Sequence, residues 1–322
     1  MEKALVITPS ESALPSTLVD RVAHYARTGL EGAANTQRAY RTDLRNFQTW
    51  CLEQGYDDLP AQPATIAAYA AHLADSCKWS TLTRKLAAIS KLHQVRGFDS
   101  PTTDKQVKIV LEGIKRTKGI RQKQAPAFTL HRLKTLLRGM ETESMAGLRN
   151  KALLLLGFTG AFRRSELVAL NVEDLSFTEE GLLVSMGRSK TNQYGDHEEK
   201  AIYYSPEVAL CPIRTLLAWV NRLGVGSQSA GLNPLFVRVR KGDQLTADRL
   251  TDKTVDDLVK RYVGPSYSAH SLRASFVTIA KLNGADDSEV MRQTKHKTTL
   301  MIQKYTRLEN IRQHNAAMKL GL

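Results

Sequence analysis

Apolar residues recur at helical spacing through most of this chain. From Pro15 onward Leu18, Val22, Tyr25 and Ala26 repeat with a period near that of an α-helix. Tyr40, Leu44, Phe47 and Cys51 share one face of a segment from about Asn35 to Glu53, and Gly55 stops it. Residues 63–75 are Ala-rich and read as helix. Ser80-Thr81 open a further helix whose apolar stripe is Leu82, Leu86, Ile89 and Leu92-His93. Its other residues, Thr83, Arg84, Lys85 and Lys91, are expected on the outer surface. Asp104 to Lys118 makes one more. The N-terminal part is thus expected to be a compact bundle of short helices, preceded by a loose arm at 1–14.

Lys118 to Pro126 (KGIRQKQAP) is basic, holds Gly and Pro, and lacks apolar periodicity, so it marks a boundary. Beyond it a helix spans about Leu130 to Met140, and a strongly apolar one follows at 147–160. The pattern then changes. Leu182–Met186 and Ala201–Tyr204 read as strands, with a polar turn between them that carries Lys190. Helices near 210–223 and 251–261 come next. His270 to Asn283 is a helix ended by Gly284, Asp287-Ser288 cap another, and Thr298-Thr299 open a last pair with Tyr305 inside its first member. The expected fold is mostly α with a small β-sheet in the C-terminal domain. The expected domains are 15–120 and 128–322, joined by a linker at 121–127.

Charge sharpens this picture. Lys+Arg number 46 against 32 Asp+Glu, a net of +14, which favours a polyanionic partner through steering and counterion release. Residues 1–123 carry a net of +6 and the rest +8, so both domains are basic. The three cysteines, Cys51, Cys77 and Cys211, form no CxxC pair, so neither a disulfide framework nor a zinc site is indicated and a reducing cytosol fits. The longest near-apolar run, Ala152–Phe162, is far shorter than a membrane span. No secretory signal core is present at the N-terminus, and no membrane partner is expected.

The candidate chemistry lies in the second part. His270-x-x-Arg273 places an imidazole and a guanidinium on one helical face. His296 follows between two lysines, and Tyr305 comes nine positions later. Arg163 and Glu166 stand three apart directly after the most apolar segment, where a charge forced close to a core needs a reason. Reaction at a phosphodiester needs planar cations for the non-bridging oxygens, an in-line nucleophile and a general acid for the leaving oxygen. Carboxylate clusters at metal-site spacing are not evident, so the sequence leans to a metal-free solution without a cofactor.

In this order Thr159-Gly160-Ala161-Phe162-Arg163-Arg164-Ser165-Glu166, Arg188-Ser189-Lys190-Thr191, His270-Ser271-Leu272-Arg273, His296 and Tyr305 resemble the tyrosine recombinases, the phage integrase family that includes Cre and the Xer proteins. The segments TQRAYRTDLRNFQTWC and STLTRKLAAISKLH are similar to the core-binding domain of Cre-like members, so the likeness runs over about 15–320. It implies an N-terminal SAM-like core-binding bundle and a catalytic domain that close on DNA as a C-shaped clamp. It implies that Tyr305 attacks the scissile phosphate to form a 3′-phosphotyrosyl link. Arg163, Arg273 and His296 would hold the phosphate oxygens, and Lys190 would protonate the leaving 5′ oxygen. His270 would serve the tyrosine proton, and Glu166 would organise the site. Neither metal nor ATP is required.

The resemblance also implies double-stranded DNA with an inverted-repeat recombination site as partner, and a homotetramer exchanging strands through a Holliday junction. A C-terminal helix would dock on a neighbouring protomer. The expected location is the cytoplasm, on the nucleoid. Arg38, Arg84, Lys85 and Lys295 are the candidate DNA contacts. The sequence departs from the family pattern at Lys295, where a Gly usually precedes the His, and at Phe162, where a smaller apolar residue is usual. Acids at Asp196, Glu198 and Glu199 follow the Lys190 turn without explanation. Two other readings are a type IB topoisomerase-like relaxing enzyme and a DNA-binding regulator that has lost catalysis.

Overall fold

The computed structural model describes residues 21, 34–120, 124–187, 198–224, 232–296 and 298–302. The expected arm at 1–14, the helix after Pro15, the Lys190 turn, Tyr305 and the C-terminal helix lie outside them. The chain divides into two compact units, Met1–Lys123 and Gln124–Leu322.

In the first unit the described helices are α1 (Ala34–Gln54), α2 (Pro63–Ser76), α3 (Trp79–Val95) and α4 (Lys105–Lys118). Each start follows local chemistry. Pro63 opens α2, where its missing N–H costs nothing, and the Asp104 carboxylate caps α4 by accepting from the Gln106 N–H. Gly55, at φ 74°, lets the chain leave α1. Phe47, Ile66, Tyr69, Leu82, Ile89 and Val107 fill the core, with Phe47 and Tyr69 rings 4.9 Å apart. His93 belongs to this core. Its Nδ1 donates to the Ile89 carbonyl and its Nε2 accepts from the Ala61 N–H, both at 2.9 Å, so a neutral ring ties α3 to the loop before α2.

Lys85 does not decorate the outer surface. It is buried, with its Nζ 3.6 Å from an Asp43 carboxylate that is itself buried on α1. Arg84 reaches the other oxygen of Asp43 at 2.6 Å while keeping part of its side chain exposed. The sequence pattern of α3 missed this because Asp43 lies on the inner face of α1, and its buried charge draws a cation inward.

The second unit is built around α6 (Met145–Thr159), with α5 (Leu130–Arg138) before it and α7 (Arg164–Ala169) after it. Ala152 to Leu156 are all buried, as the apolar run demands. An antiparallel sheet follows in the order β1 (Leu175–Phe177), β2 (Gly181–Met186), β3 (Glu198–Tyr203). Then come α8 (Pro212–Leu223), a hairpin of β4 (Val237–Arg240) and β5 (Gln244–Arg249), α9 (Asp252–Tyr262), α10 (Ala269–Leu282) and α11 (Asp287–Thr294). α11 is capped by Asp286, one residue earlier than the sequence pattern predicts, in a reciprocal pair with Glu289. The β4–β5 hairpin was not anticipated. Its strands are short and half polar, and the turn signal is Gly242-Asp243, both at positive φ. Arg249 on β5 donates to the carbonyls of Val168 and Leu170 at the end of α7, which anchors the hairpin there.

Candidate active site

The site is organised by the turn that joins α6 to α7. The Phe162 amide donates back to the Gly157 carbonyl at 3.1 Å, which reverses the chain. Ala161 then takes φ 47°, a left-handed conformation that costs an L-residue about 1–2 kcal/mol. Phe162 packs over Gly160 so closely that a Cβ on Gly160 would sit 2.1 Å from its ring. The large residue at 162 is therefore accommodated by the absence of a side chain at 160. This turn delivers Arg163 to the start of α7.

There the Glu166 carboxylate accepts from the Arg163 backbone N–H at 2.9 Å and also holds the Arg163 guanidinium. The pair is not on the surface, since the Glu166 side chain is 5% exposed and that of Arg163 20%. Burial raises the Glu166 pKa, but the Arg163 N–H and the charges of Arg163 and Lys200 outweigh it, leaving the carboxyl below its ordinary value.

Arg273 sits one turn into α10 and is 1% exposed. Its Nη1 donates to the Ala161 carbonyl at 2.7 Å and its Nη2 to the Thr294 carbonyl. One guanidinium thus bridges the α6–α7 turn and the end of α11. His296 is buried just beyond that end, its Nδ1 3.0 Å from the Thr294 hydroxyl. Desolvation, then the charges of Arg273 and Arg163, push its pKa down to about 3, so the ring is neutral. His270 is exposed on the first turn of α10, and desolvation with the same two arginines lowers its pKa as well.

One residue that the sequence pattern passed over joins this group. Lys200 on β3 is 1% exposed, and its Nζ donates to the Gly160 carbonyl at 2.6 Å and lies 4.4 Å from the centre of the Phe162 ring. The signal was present. Along β3 the inward positions are Lys200 and Ile202, while Ala201 and Tyr203 face out.

Arg163, Glu166, Arg273, His270 and His296 therefore lie in one electrostatically linked group, with Lys200 added. Lys190 and Tyr305 lie outside the described residues. Among the described residues no three His, Cys, Asp or Glu side chains gather as a metal site, and no helix is long and apolar enough to cross a membrane. Of the candidate DNA contacts, Arg38 is exposed near the start of α1, Arg84 is half-buried, Lys85 is buried, and Lys295 is half-buried beside His296.

Lys295 ends α11 at φ 54°. A glycine there would remove left-handed strain worth about 1–2 kcal/mol, less the roughly 0.5–1 kcal/mol of extra chain entropy that glycine loses. We expect Lys295→Gly to keep or slightly raise Tm while weakening duplex binding, checked by thermal melting and a DNA titration. A lowered Tm with unchanged affinity would contradict this.

A buried guanidinium, a half-buried one, a carboxylate and a neutral imidazole, gathered on a helical unit beside a small antiparallel sheet, have the chemistry that a phosphodiester site needs. Comparison with known proteins makes the class particular. The sequence model of the phage integrase family matches residues 126–312, and that of the phage integrase N-terminal SAM-like domain matches 29–96. An integrase/recombinase xerD homolog of Selenomonas ruminantium is 37% identical over 297 residues, 89% of this chain and 86% of that protein. The tyrosine recombinase XerD of Lacticaseibacillus casei is 24% identical over 92% of this chain and 94% of its own length. The fold is also that of a XerH site-specific recombinase bound to a palindromic difH substrate in a post-cleavage complex (TM-score 0.64, 17% identity, 95% of this chain and 84% of that one). A lambda integrase dimer bound to a core site shares it too (TM-score 0.54, 14% identity, 91% and 95%).

The chain belongs to the phage integrase family and is a tyrosine recombinase, an enzyme that cleaves and rejoins DNA in site-specific recombination. These relatives favour neither the topoisomerase-like reading nor the silent regulator.

Proposed function

We propose that the recombinase works through the following assignment of its own residues. Tyr305 attacks the scissile phosphate, forms a 3′-phosphotyrosyl link and frees a 5′-hydroxyl. Arg163 and Arg273 take the non-bridging oxygens, where negative charge grows in the transition state. His296 donates to the same phosphate, and Lys190 protonates the leaving oxygen. His270 handles the tyrosine proton, and Glu166 fixes Arg163. The link conserves the bond energy, so rejoining needs neither ATP nor a metal. The carrying observation is that Arg273 bridges the α6–α7 turn that bears Arg163 and the α11 end that leads to His296.

The SAM-like unit supplies sequence recognition, with Arg38 and Arg84 as contacts. Arg84 is the better placed, because Asp43 holds its guanidinium while leaving part of it open. Lys85 is withdrawn from this role by its burial. The DNA partner is a duplex site of inverted repeats. Four protomers exchange strands on two such sites through a Holliday junction, and residues after about 309 dock on the neighbouring protomer. The working location is the nucleoid.

A suicide duplex, nicked so that the cleaved fragment diffuses away, tests the assignment. Wild type should accumulate a covalent protein–DNA adduct in EDTA. Tyr305→Phe, which removes only the phenol oxygen, should form none while binding the duplex as before. An adduct that persists in Tyr305→Phe would move the nucleophile elsewhere.

A further inference from the structure

We propose that Lys200 is a positioning residue of the recombinase site, which locks the α6–α7 turn through Gly160 and so sets the spacing of Arg163 and Arg273. The inference rests on the assignment of those two arginines to the phosphate.

The chain of contacts is short. Lys200 Nζ donates to the Gly160 carbonyl at 2.6 Å. The next residue, Ala161, is the left-handed one, and its carbonyl accepts from Arg273 at 2.7 Å. Two residues further on is Arg163. A left-handed Ala persists only where its surroundings hold it. Lys200 holds it from β3, with the Phe162 ring stacked against the ammonium. A second tie runs in parallel, as Gln293 Nε2 donates to the carbonyls of Thr159 and Ala201 at 2.9 and 3.1 Å. The strand, the turn and α11 are thereby joined at the level of the two guanidiniums.

A lysine is a costly choice for this task. An amide could hold a carbonyl without bringing a charge into the protein interior. The charged groups that act on Lys200 are Glu166 on α7, Arg273 on α10, and Arg163 and Lys295. His296 in turn feels its charge. Only Glu166 among them is anionic, and burial dominates, so the ammonium pKa falls to about 7 in the DNA-free protein. A phosphate between the arginines adds a second anion and raises that value again, so DNA binding favours the protonated lysine. Lys200 therefore tightens the turn and adds its charge when a phosphate is in place.

Below about pH 7 Lys200 is charged with or without DNA. As pH rises the charge is lost, later in the DNA complex than in the free protein, and a neutral amine remains that still donates to Gly160. The advantage of wild type over a variant without the ammonium should shrink across that range.

Wild type, Lys200→Met and Lys200→Gln, each as the full chain, are compared in single-turnover adduct formation on the suicide duplex, from about pH 5.5 to about pH 9. Duplex affinity and Tm are measured alongside. Lys200→Met keeps much of the volume and removes a buried charge, so it is expected to fold. Near pH 6 it should slow adduct formation about 10–100-fold with affinity changed less than about threefold, the pattern of a site displaced by a fraction of an ångström. Lys200→Gln, which can still donate, should recover part of the rate. The ratio of wild-type to Met rate should fall as pH rises above about 7.

A Met variant with the wild-type rate and pH profile overturns the proposal. So does a loss that is the same at every pH and matched by parallel losses of Tm and DNA binding, because that is a folding defect. Should Tyr305→Phe still form an adduct, the nucleophile assignment falls, and the Lys200 comparison is still decided by the wild-type rate.

Discussion

Arg273→Met should lower the rate of covalent adduct formation on a suicide duplex by about 10²–10³-fold, the usual cost of removing one preorganised donor to a developing charge. The guanidinium does two things at once. In the proposed assignment it presents positive charge to the phosphate, and it spans the Ala161 and Thr294 carbonyls, so it sets the distance between the Arg163 turn and the His296 loop. Arg273→Lys should do little better than Met. A lysine retains the charge, but a single ammonium cannot hold two carbonyls in a fixed fork and still grip a phosphate. Single-turnover kinetics with saturating protein separates the two functions. A Lys variant that cleaves within about tenfold of wild type would show that charge alone suffices, and the bridging role would be wrong.

Glu166→Gln should be the most destabilising of the active-site changes, by about 3 kcal/mol, or roughly 6–12 °C in Tm. The carboxylate is the counter-charge for Arg163 and for Lys200 in a place almost closed to water. The amide keeps the shape and loses the charge. Because the folded protein holds the Glu166 pKa below its unfolded value, the carboxylate's contribution is complete above the ordinary carboxylate range. It disappears as pH falls through the depressed value. The gap in unfolding free energy between wild type and Glu166→Gln should therefore be wide at neutral pH and close in acid. Denaturant melts at the two pH values measure it. A gap that stays constant would mean that shape and not charge is what Glu166 contributes.

Much of this site can be read in the chain before it folds. His270-x-x-Arg273 works as a helical pair because both residues lie in the first turns of one helix, and Arg163-x-x-Glu166 works because α7 begins at that spot. The apolar run at 152–156 gives the central helix directly. The two misplaced lysines share one cause, a charge drawn inward by a partner distant in sequence. Lys85 faces Asp43 from another helix, and Lys200 faces Gly160 and Glu166 from the sheet. A local period can say that Lys200 is in phase with Ile202, yet hydropathy argues against burying it. Only the tertiary partner settles the conflict. The β4–β5 hairpin escaped for a different reason, since its strands are too short and polar for alternation to stand out.

The Gln293 amide also couples motions of the catalytic unit. By grasping backbone oxygens on either side of it, a single side chain makes three pieces of the catalytic unit into one lever. A push that tilts α11 strains both of these hydrogen bonds, each worth about 1 kcal/mol. The push is passed through them to the last turn of α6 and to the strand that bears Lys200. A displacement of α11 is thereby shared with the turn before Arg163 and with the strand beside it.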